Sequence, residues 1–383
     1  MVTATSGNSS RRPTPRSTPD ARRVAVVAGV FGVAVGVGAL CDQIGVPAAW
    51  IFGFLVVFGA YAIISDRQTT PSKQVMQPAQ VVIAMVCVAP LVELDGPTVL
   101  GYVGPTAIAL AVTLAVCAAA ALLLWRSGAA SAVSAMLATL AGGASGMTVL
   151  AAELKEDVRF VVLTQYLRLS LVVLTLPAFV HFFAAGSDAG TGEGTAGTDD
   201  TVAWWSPEWK PVVGAVVVWA VVWLIVRATR RWINLPVPYL LLSMLATWLG
   251  GVLGVPDEWL VPQGLVLIAA YAVIGIQAGG TLTKGALKQF RSSLPLILSA
   301  VVAMIVGAIV AALLIALFTD IALLDAYLAT VPGGIYAVLA FAHEAGSEPV
   351  VTVVQVMRTL AMLVIGAYLP SIIAWWGRRR AGH

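Results

Sequence analysis

Ala141-Gly142-Gly143 and Pro332-Gly333-Gly334 stand 191 residues apart, 142 to 333. Each is followed by a Gln-x-x-Arg, Gln165-Tyr166-Leu167-Arg168 and Gln355-Val356-Met357-Arg358, and these are 190 apart, 165 to 355. A third pair, Ile44-Gly45-Val46-Pro47-Ala48-Ala49-Trp50 and Ile233-Asn234-Leu235-Pro236-Val237-Pro238-Tyr239, repeats at nearly the same distance. Any one match is weak, but a near-constant offset across three motifs marks an internal duplication.

The motifs sit in a chain of 383 residues that is 59% hydrophobic and 11% charged, against about 25% charged in soluble domains. Mean hydropathy is +0.92. Twelve apolar segments cover roughly 24–41, 48–64, 79–92, 103–125, 130–152, 160–183, 211–228, 237–254, 261–280, 293–318, 321–342 and 350–376. Many approach the ~20 residues that cross a bilayer, which predicts an all-α integral membrane protein. Residues 1–23, rich in Ser, Thr, Pro and Arg, read as a disordered cytoplasmic arm. Leu40-Cys41 is a poor cleavage site, so the first segment is expected to stay attached. The division is then 24–183 as the first membrane repeat, 184–210 as an acidic extracytoplasmic linker, 211–376 as the second repeat, and 377–383 as a basic cytoplasmic tail. Cys41, Cys87 and Cys117 form no paired framework and read as small fillers at helix contacts.

Charge decides which segments cross. If all twelve did, with the Arg-rich N-terminus inside, then Arg227, Arg230, Arg231, Lys284, Lys288 and Arg291 would face outward, against the positive-inside rule. If the fifth and eleventh segments enter and leave on one side, these residues become cytoplasmic together with Arg67, Lys73, Arg126, Lys155 and Arg159. Asp257, Glu258, Asp320 and Asp325 then fall outside, and Lys210 alone is misplaced. Choosing the third and ninth segments instead would put Lys284, Lys288 and Arg291 outside. Each half therefore has five crossings and one re-entrant or broken segment. An odd number of crossings makes the second half run opposite to the first, an inverted-topology repeat.

The paired Gly-Gly and Gln-x-x-Arg motifs and the two Pro-aromatic turns resemble the AbrB duplication family of bacterial membrane proteins, distinct from the small DNA-binding AbrB regulators. The resemblance spans nearly all of residues 24–376. It implies a transport-like membrane protein, although members are often labelled ammonia monooxygenases or transcriptional regulators. The family pattern is closer to Pro-Gly-Gly-x-x-Glu-Met. Here Ala141 replaces the first Pro, and Gly146 and Ala337 stand where a Glu would be, which removes that carboxylate from any proton-coupling scheme.

Gly142, Gly143, Gly333 and Gly334 lie in the two segments that charge forbids from crossing. There the irregular backbone either lines a substrate cavity or packs helices closely, as Gly32/Gly36 and Gly250/Gly254 at four-residue spacing are expected to do. Arg168 and Arg358 are the basic residues inside the sixth and twelfth segments. A charge at that depth costs at least ~2.5–3.5 kcal/mol and normally has a partner. Gln165 and Gln355 lie one turn earlier on the same face. Each pair either recognises an anionic substrate group, or holds carbonyls of the broken segment, or pairs with Glu153 and Glu344. Glu153, Glu344 and Gln277 are candidates for coupling or gating.

No Gly-x-x-x-x-Gly-Lys loop supports direct use of ATP, and His181, His343 and His383 are too scattered for a metal cluster. Neither an enzyme nor a nucleic-acid binder is expected. The expected function is a secondary transporter or exporter of a small anionic or zwitterionic metabolite in the bacterial cytoplasmic membrane, multi-pass, with both termini cytoplasmic. It would have no cofactor beyond a coupling ion, H⁺ or Na⁺, and membrane lipid, the solute and a second copy as partners. The competing expectation is a non-transporting membrane component that modulates gene expression or envelope processes.

Overall fold

Hydrocarbon offers no water to an unpaired backbone N–H or C=O, so an apolar run is stable there as a helix that bonds to itself. The computed structural model describes residues 21–46, 48–92, 94–142, 144–184, 209–229, 238–347 and 349–381, and among them every regular element is helical. The first half holds α1 (Ala21–Gln43), α2 (Ala49–Ser65), α3 (Lys73–Val88), α4 (Gly96–Gly101), α5 (Val103–Arg126), α6 (Ala132–Thr139), α7 (Ala144–Glu153) and α8 (Val158–Ala184). The second holds α9 (Trp209–Thr229), α10 (Pro238–Val252), α11 (Asp257–Leu260), α12 (Gly264–Gly279), α13 (Lys284–Gln289), α14 (Leu294–Phe318), α15 (Leu323–Thr330), α16 (Ile335–Glu344) and α17 (Val350–Ala381). The N-terminal arm before residue 21 and most of the acidic linker lie outside the described residues, as do Gly143 and the turn before Pro238.

Among the described residues, seven stretches are long and apolar enough to cross a bilayer: Ala25–Gln43, Lys73–Leu91, Val103–Arg126, Val158–Val180, Trp209–Thr229, Asp257–Gln289 and Leu294–Phe318. The chain is a multi-pass membrane protein. Exposed Val and Leu side chains on α9 and α14, such as Val216, Leu224, Val302 and Leu313, need no water-facing partner in lipid.

The segments expected at 130–152 and 321–342 each arrive as two short helices, α6 with α7 and α15 with α16. At 1.5 Å per residue, helices of eight and ten residues reach about 12–15 Å, half of a ~30 Å hydrocarbon core. The breaks have different local causes. Pro332 cannot donate to a helix and pushes Val331 out of the helical region, to φ −59°, ψ 127°. Leu140, at the equivalent place, takes φ −58°, ψ 131° with only Ala141 after it. The same conformation without the proline requires contacts from elsewhere in the fold.

The duplication is visible in the elements. α3 and α12, α6 and α15, and α7 and α16 have equal lengths and are offset by 191 at both ends. The halves also interlock. α8 packs on α15 and α16, and α17 packs on α5, α6 and α7. Phe179 stacks on Tyr327 with ring centres 4.4 Å apart. Ser170 Oγ donates to the Ala278 carbonyl at 2.8 Å, and Thr352 Oγ1 donates to that of Cys87, the residue equivalent to Ala278, at 3.2 Å.

The glycines that bring helices together are not those expected from spacing. Gly32 and Gly36 face open space, and Gly254 is a left-handed turn residue (φ +82°) with nothing beside it. Gly250 meets only the Leu260 side chain, at 3.1 Å. Close crossings are made instead between α1 and α2, where a Cβ on Gly53 would lie 2.6 Å from the Gly38 nitrogen, and between α12 and α2, where a Cβ on Gly275 would lie 2.6 Å from the Ile51 oxygen and one on Gly279 2.2 Å from the Leu55 oxygen. Spacing marks a small-residue face, but only the fold decides which face meets another backbone. Gly279→Ala is therefore expected to destabilise by about 1–3 kcal/mol, as overpacking does. Gly32→Ala should leave stability unchanged. Thermal unfolding of the two purified variants in one detergent measures the difference.

Candidate functional site: two clamped helix breaks

The last carbonyls of a helix have no partner within it and together carry about half a negative charge. α6 ends at Thr139 and α15 at Thr330, both fully buried, so these carbonyls must be met by side chains. The Gln-x-x-Arg pairs supply them. From α8, the Gln165 Nε2 donates to the carbonyls of Leu137 (2.8 Å) and Leu140 (3.0 Å). Arg168 Nη1 donates to Thr139 O at 2.9 Å, and its Nη2 to Gln165 Oε1 at 2.7 Å. From α17, Gln355 Nε2 donates to Leu328 O (2.6 Å) and Val331 O (3.3 Å). Arg358 donates to Thr330 O at 2.6 Å, Val331 O at 3.0 Å and Gln355 Oε1 at 2.6 Å. Leu137 and Leu328, and Leu140 and Val331, are equivalent at the 191 offset, so the bonding scheme itself is duplicated.

Thr139 and Thr330 complete each clamp, and sequence reasoning missed them. Thr139 Oγ1 donates to Cys117 O at 3.1 Å, and Thr330 Oγ1 donates to Ala308 O at 3.0 Å. Cys117 and Ala308 are again 191 apart. A threonine repeated at the duplication offset inside each broken segment was the available signal. Cys117 is a free, buried thiol that itself donates to Thr139 O, at 3.2 Å.

Arg168 is 4% exposed and Arg358 1%. Among the described residues the ion pair present is Lys210–Glu258, so neither arginine rests on Glu153 or Glu344, which are both exposed. Each guanidinium is instead compensated by a helix C-terminus, where cations are favoured. Of the structural alternatives, carbonyl capping is the one the geometry displays. Each arginine keeps one further buried donor, its Nε–H, without a partner.

The void where Cys117, Gly307, Thr330 and Pro332 meet holds about 10 Å³, at the lower limit for one water molecule. A solute could contact this centre only after the helices move apart. Gly142 is buried, and Gly333 and Gly334 are partly so. Gly334 has φ −72°, open to any residue; what glycine supplies is space. A Cβ on Gly334 would lie 2.4 Å from Leu169 Cδ1, and one on Gly333 3.0 Å from Val172 Cγ1, so α8 of the first half rests directly on the second break.

Gln277 lies apart from the clamps, on α12, with its side chain beside the Tyr166 hydroxyl. Here a larger cavity of about 330 Å³ opens between the start of α8 and the α12–α13 turn, lined by Arg159, Tyr166, Thr281, Thr283 and Phe290 among others. Sequence reasoning did not find it, because its lining comes from segments far apart in the chain. Glu344 lies near Tyr271 of α12, and Glu153 ends α7. The structure does not bring Glu153, Glu344 and Gln277 together with the arginines.

The fold and its paired clamps define a multi-pass membrane protein with two matching halves, each carrying one broken helix. Residues 50–377 match the family described as Transition state regulatory protein AbrB, and the chain belongs to this AbrB family. It is 26% identical over 248 residues to an Escherichia coli (strain K12) protein named "Putative regulator AbrB", an alignment covering 63% of this chain and 66% of that relative. The chain thus spans slightly less than two thirds of the relative it matches. No solved structure matches the chain.

Removing a buried fork leaves carbonyls with no donor, so Arg358→Met should cost about 3 kcal/mol or more. Arg358→Lys should recover little, since an ammonium cannot span two carbonyls and an amide as the planar guanidinium does. Thermal unfolding, with a Gln355/Arg358 double-mutant cycle expected to show coupling of about 0.5–3 kcal/mol, reads both effects.

Proposed function

We propose that the protein is a secondary transporter of a small anionic or zwitterionic solute, working by alternating access between its two halves. The observation that carries this reading is the pair of broken helices, each held open at its C-terminal end by a Gln–Arg fork that belongs to the fold. Discontinuous helices at membrane depth are the usual substrate elements of duplicated transporters. They are tolerated there only where protein or a cavity surrounds the bared backbone.

The inverted sense of the halves draws its support from the charge tally, and their two-fold relation from one contact. The positive-inside tally requires an odd number of crossings per half. In addition Val116 on α5 and Gly307 on α14, equivalent positions 191 apart, press against each other, a Cβ on Gly307 lying 2.4 Å from Val116 Cγ2. Contact between equivalents is what a two-fold axis between the halves produces, whether that axis lies in the membrane plane or along its normal, so it supports the duplication while the charge tally carries the inverted sense. The reading then comprises ten crossings and two broken segments in the cytoplasmic membrane, with both termini cytoplasmic. No enzymatic step belongs to it, H⁺ or Na⁺ is the coupling ion, and a homodimer is the assembly. The unpartnered Nε–H groups of Arg168 and Arg358 favour an anion once the halves part. The name of the E. coli relative points to a regulatory role, the second reading, in which partners rather than solute respond to the same two-state core.

Two measurements test this. Cysteines placed at Ser127 and Gly285 should label from the cytoplasmic side only; external labelling of Gly285 removes the inverted topology. Metabolite export should differ between cells lacking and overproducing the protein, and Arg168→Lys and Arg358→Lys should reduce that difference at matched membrane abundance. If no solute moves in any strain, the transporter reading fails and the regulatory one stands.

A further inference from the structure

We propose that the cavity between the start of α8 and the α12–α13 turn is a binding site for a small organic carboxylate with an apolar body, paired at its charged end with Arg159 and reaching Tyr166 at the other. Its volume, about 330 Å³, lies within the ~300–1,000 Å³ of small-molecule sites. Arg159, Val162 and Tyr166 succeed one another along one face of α8, at the three- and four-residue steps of a helix. Phe290 and Leu282 give the facing wall an apolar surface, and Thr281 and Thr283 give it a polar edge.

Arg159 is exposed at the start of this groove, and no described carboxylate lies within ion-pair distance of it. The acids next to it in sequence are engaged elsewhere. Asp157 Oδ1 accepts the backbone N–H groups of Arg159 and Phe160, both at 3.1 Å, and so caps α8. Glu156 Oε2 accepts the hydroxyls of Ser131 (2.5 Å) and Ser134 (2.6 Å) at the start of α6. The guanidinium is thus available to an outside anion, and Lys284 and Lys288 on the exposed side of α13 add positive potential that draws one in.

The duplication supplies an internal control. The equivalents of Arg159, Tyr166, Gln277, Thr281 and Thr283 in the other half are Pro349, Val356, Val86, Pro90 and Val92. These five positions are apolar in the other half, whereas Ala286 and Gln289 of the lining have Asp95 and Thr98 as their equivalents. Tyr166 meets Gln277, Thr281 Oγ1 donates to the Ala278 carbonyl at 3.3 Å and Thr283 Oγ1 accepts the Ala286 N–H as the cap of α13, so these groups are satisfied within the fold. Among the described residues it is the Arg159 charge that is left for an outside anion. The site requires no transport, because a regulator would need a solute site as much as a carrier would. Binding and flux are accordingly read in separate assays, and either can fail alone.

The same chemistry could meet the phosphate of an anionic lipid, so the test has two arms. The purified full-length protein in a neutral maltoside detergent is titrated with hexanoate, phenylacetate and succinate, each beside its neutral amide, while thermal unfolding is followed. At least one carboxylate should raise the unfolding temperature saturably while its amide does not. Arg159→Gln should weaken the apparent affinity about tenfold or more, and Tyr166→Phe by less. Arg227→Gln, on α9, should change nothing, and the unfolding temperature of each variant without ligand controls for folding. No response to any carboxylate, an equal response to the amides, or a response that survives Arg159→Gln overturns the proposal. In the second arm phosphatidylglycerol is added in nanodiscs. An Arg159-dependent stabilisation by this lipid, with none by the carboxylates, assigns the anion to a headgroup and overturns the solute reading.

Discussion

A helix cannot stop inside a membrane unless something receives its last carbonyl groups. α6 and α15 both stop at fully buried threonines, away from water, and most of the distinctive chemistry of this protein follows from that constraint. The groups at such an end are acceptors carrying partial negative charge, so the partner must be a donor and is best a cation. Arginine meets the demand with a rigid fork, and the glutamine one turn earlier links the fork to the carbonyls on either side. Two buried positive charges are tolerated because each lies at the negative end of a helix, without a carboxylate.

The clamps also explain the architecture around them. A fork can hold a helix end only if its own helix passes alongside, and α8 and α17 each do so while packing on elements of the opposite half. The contacts of α8 with the second break, and of α17 with the first half, make the two repeats one interlocked body rather than two domains joined by a linker. Any motion of one half moves the helix that carries a clamp, and this ties the breaks to the rest of the fold.

Much of this was legible in the chain. The repeated Gly-Gly and Gln-x-x-Arg motifs revealed the duplication, and the charge distribution singled out segments 130–152 and 321–342 as those unable to cross. Both are broken within a residue or two of the glycine pairs. The chemistry of Arg168 and Arg358 was not decided at that level. An arginine and a glutamine at i and i+3 form the same fork whether they face a substrate carboxylate or a backbone carbonyl, and the distinction depends on what another segment brings opposite. Spacing likewise named Gly32/Gly36 as a contact face, although among the described residues no helix packs there.

By itself the sequence determined that this is a multi-pass helical membrane protein, that it is duplicated, and where its helices must break, because hydropathy, charge placement and repeated motifs are properties of the chain alone. Tertiary structure decided what the buried polar groups bond to. It turned the forks of Gln165–Arg168 and Gln355–Arg358 onto helix ends, put Leu169 and Val172 against Gly334 and Gly333, and made a cavity from Arg159, Tyr166 and Thr281, which lie far apart in sequence. A hydrogen bond depends on distance and direction, and residues in separate helices acquire both only when those helices pack.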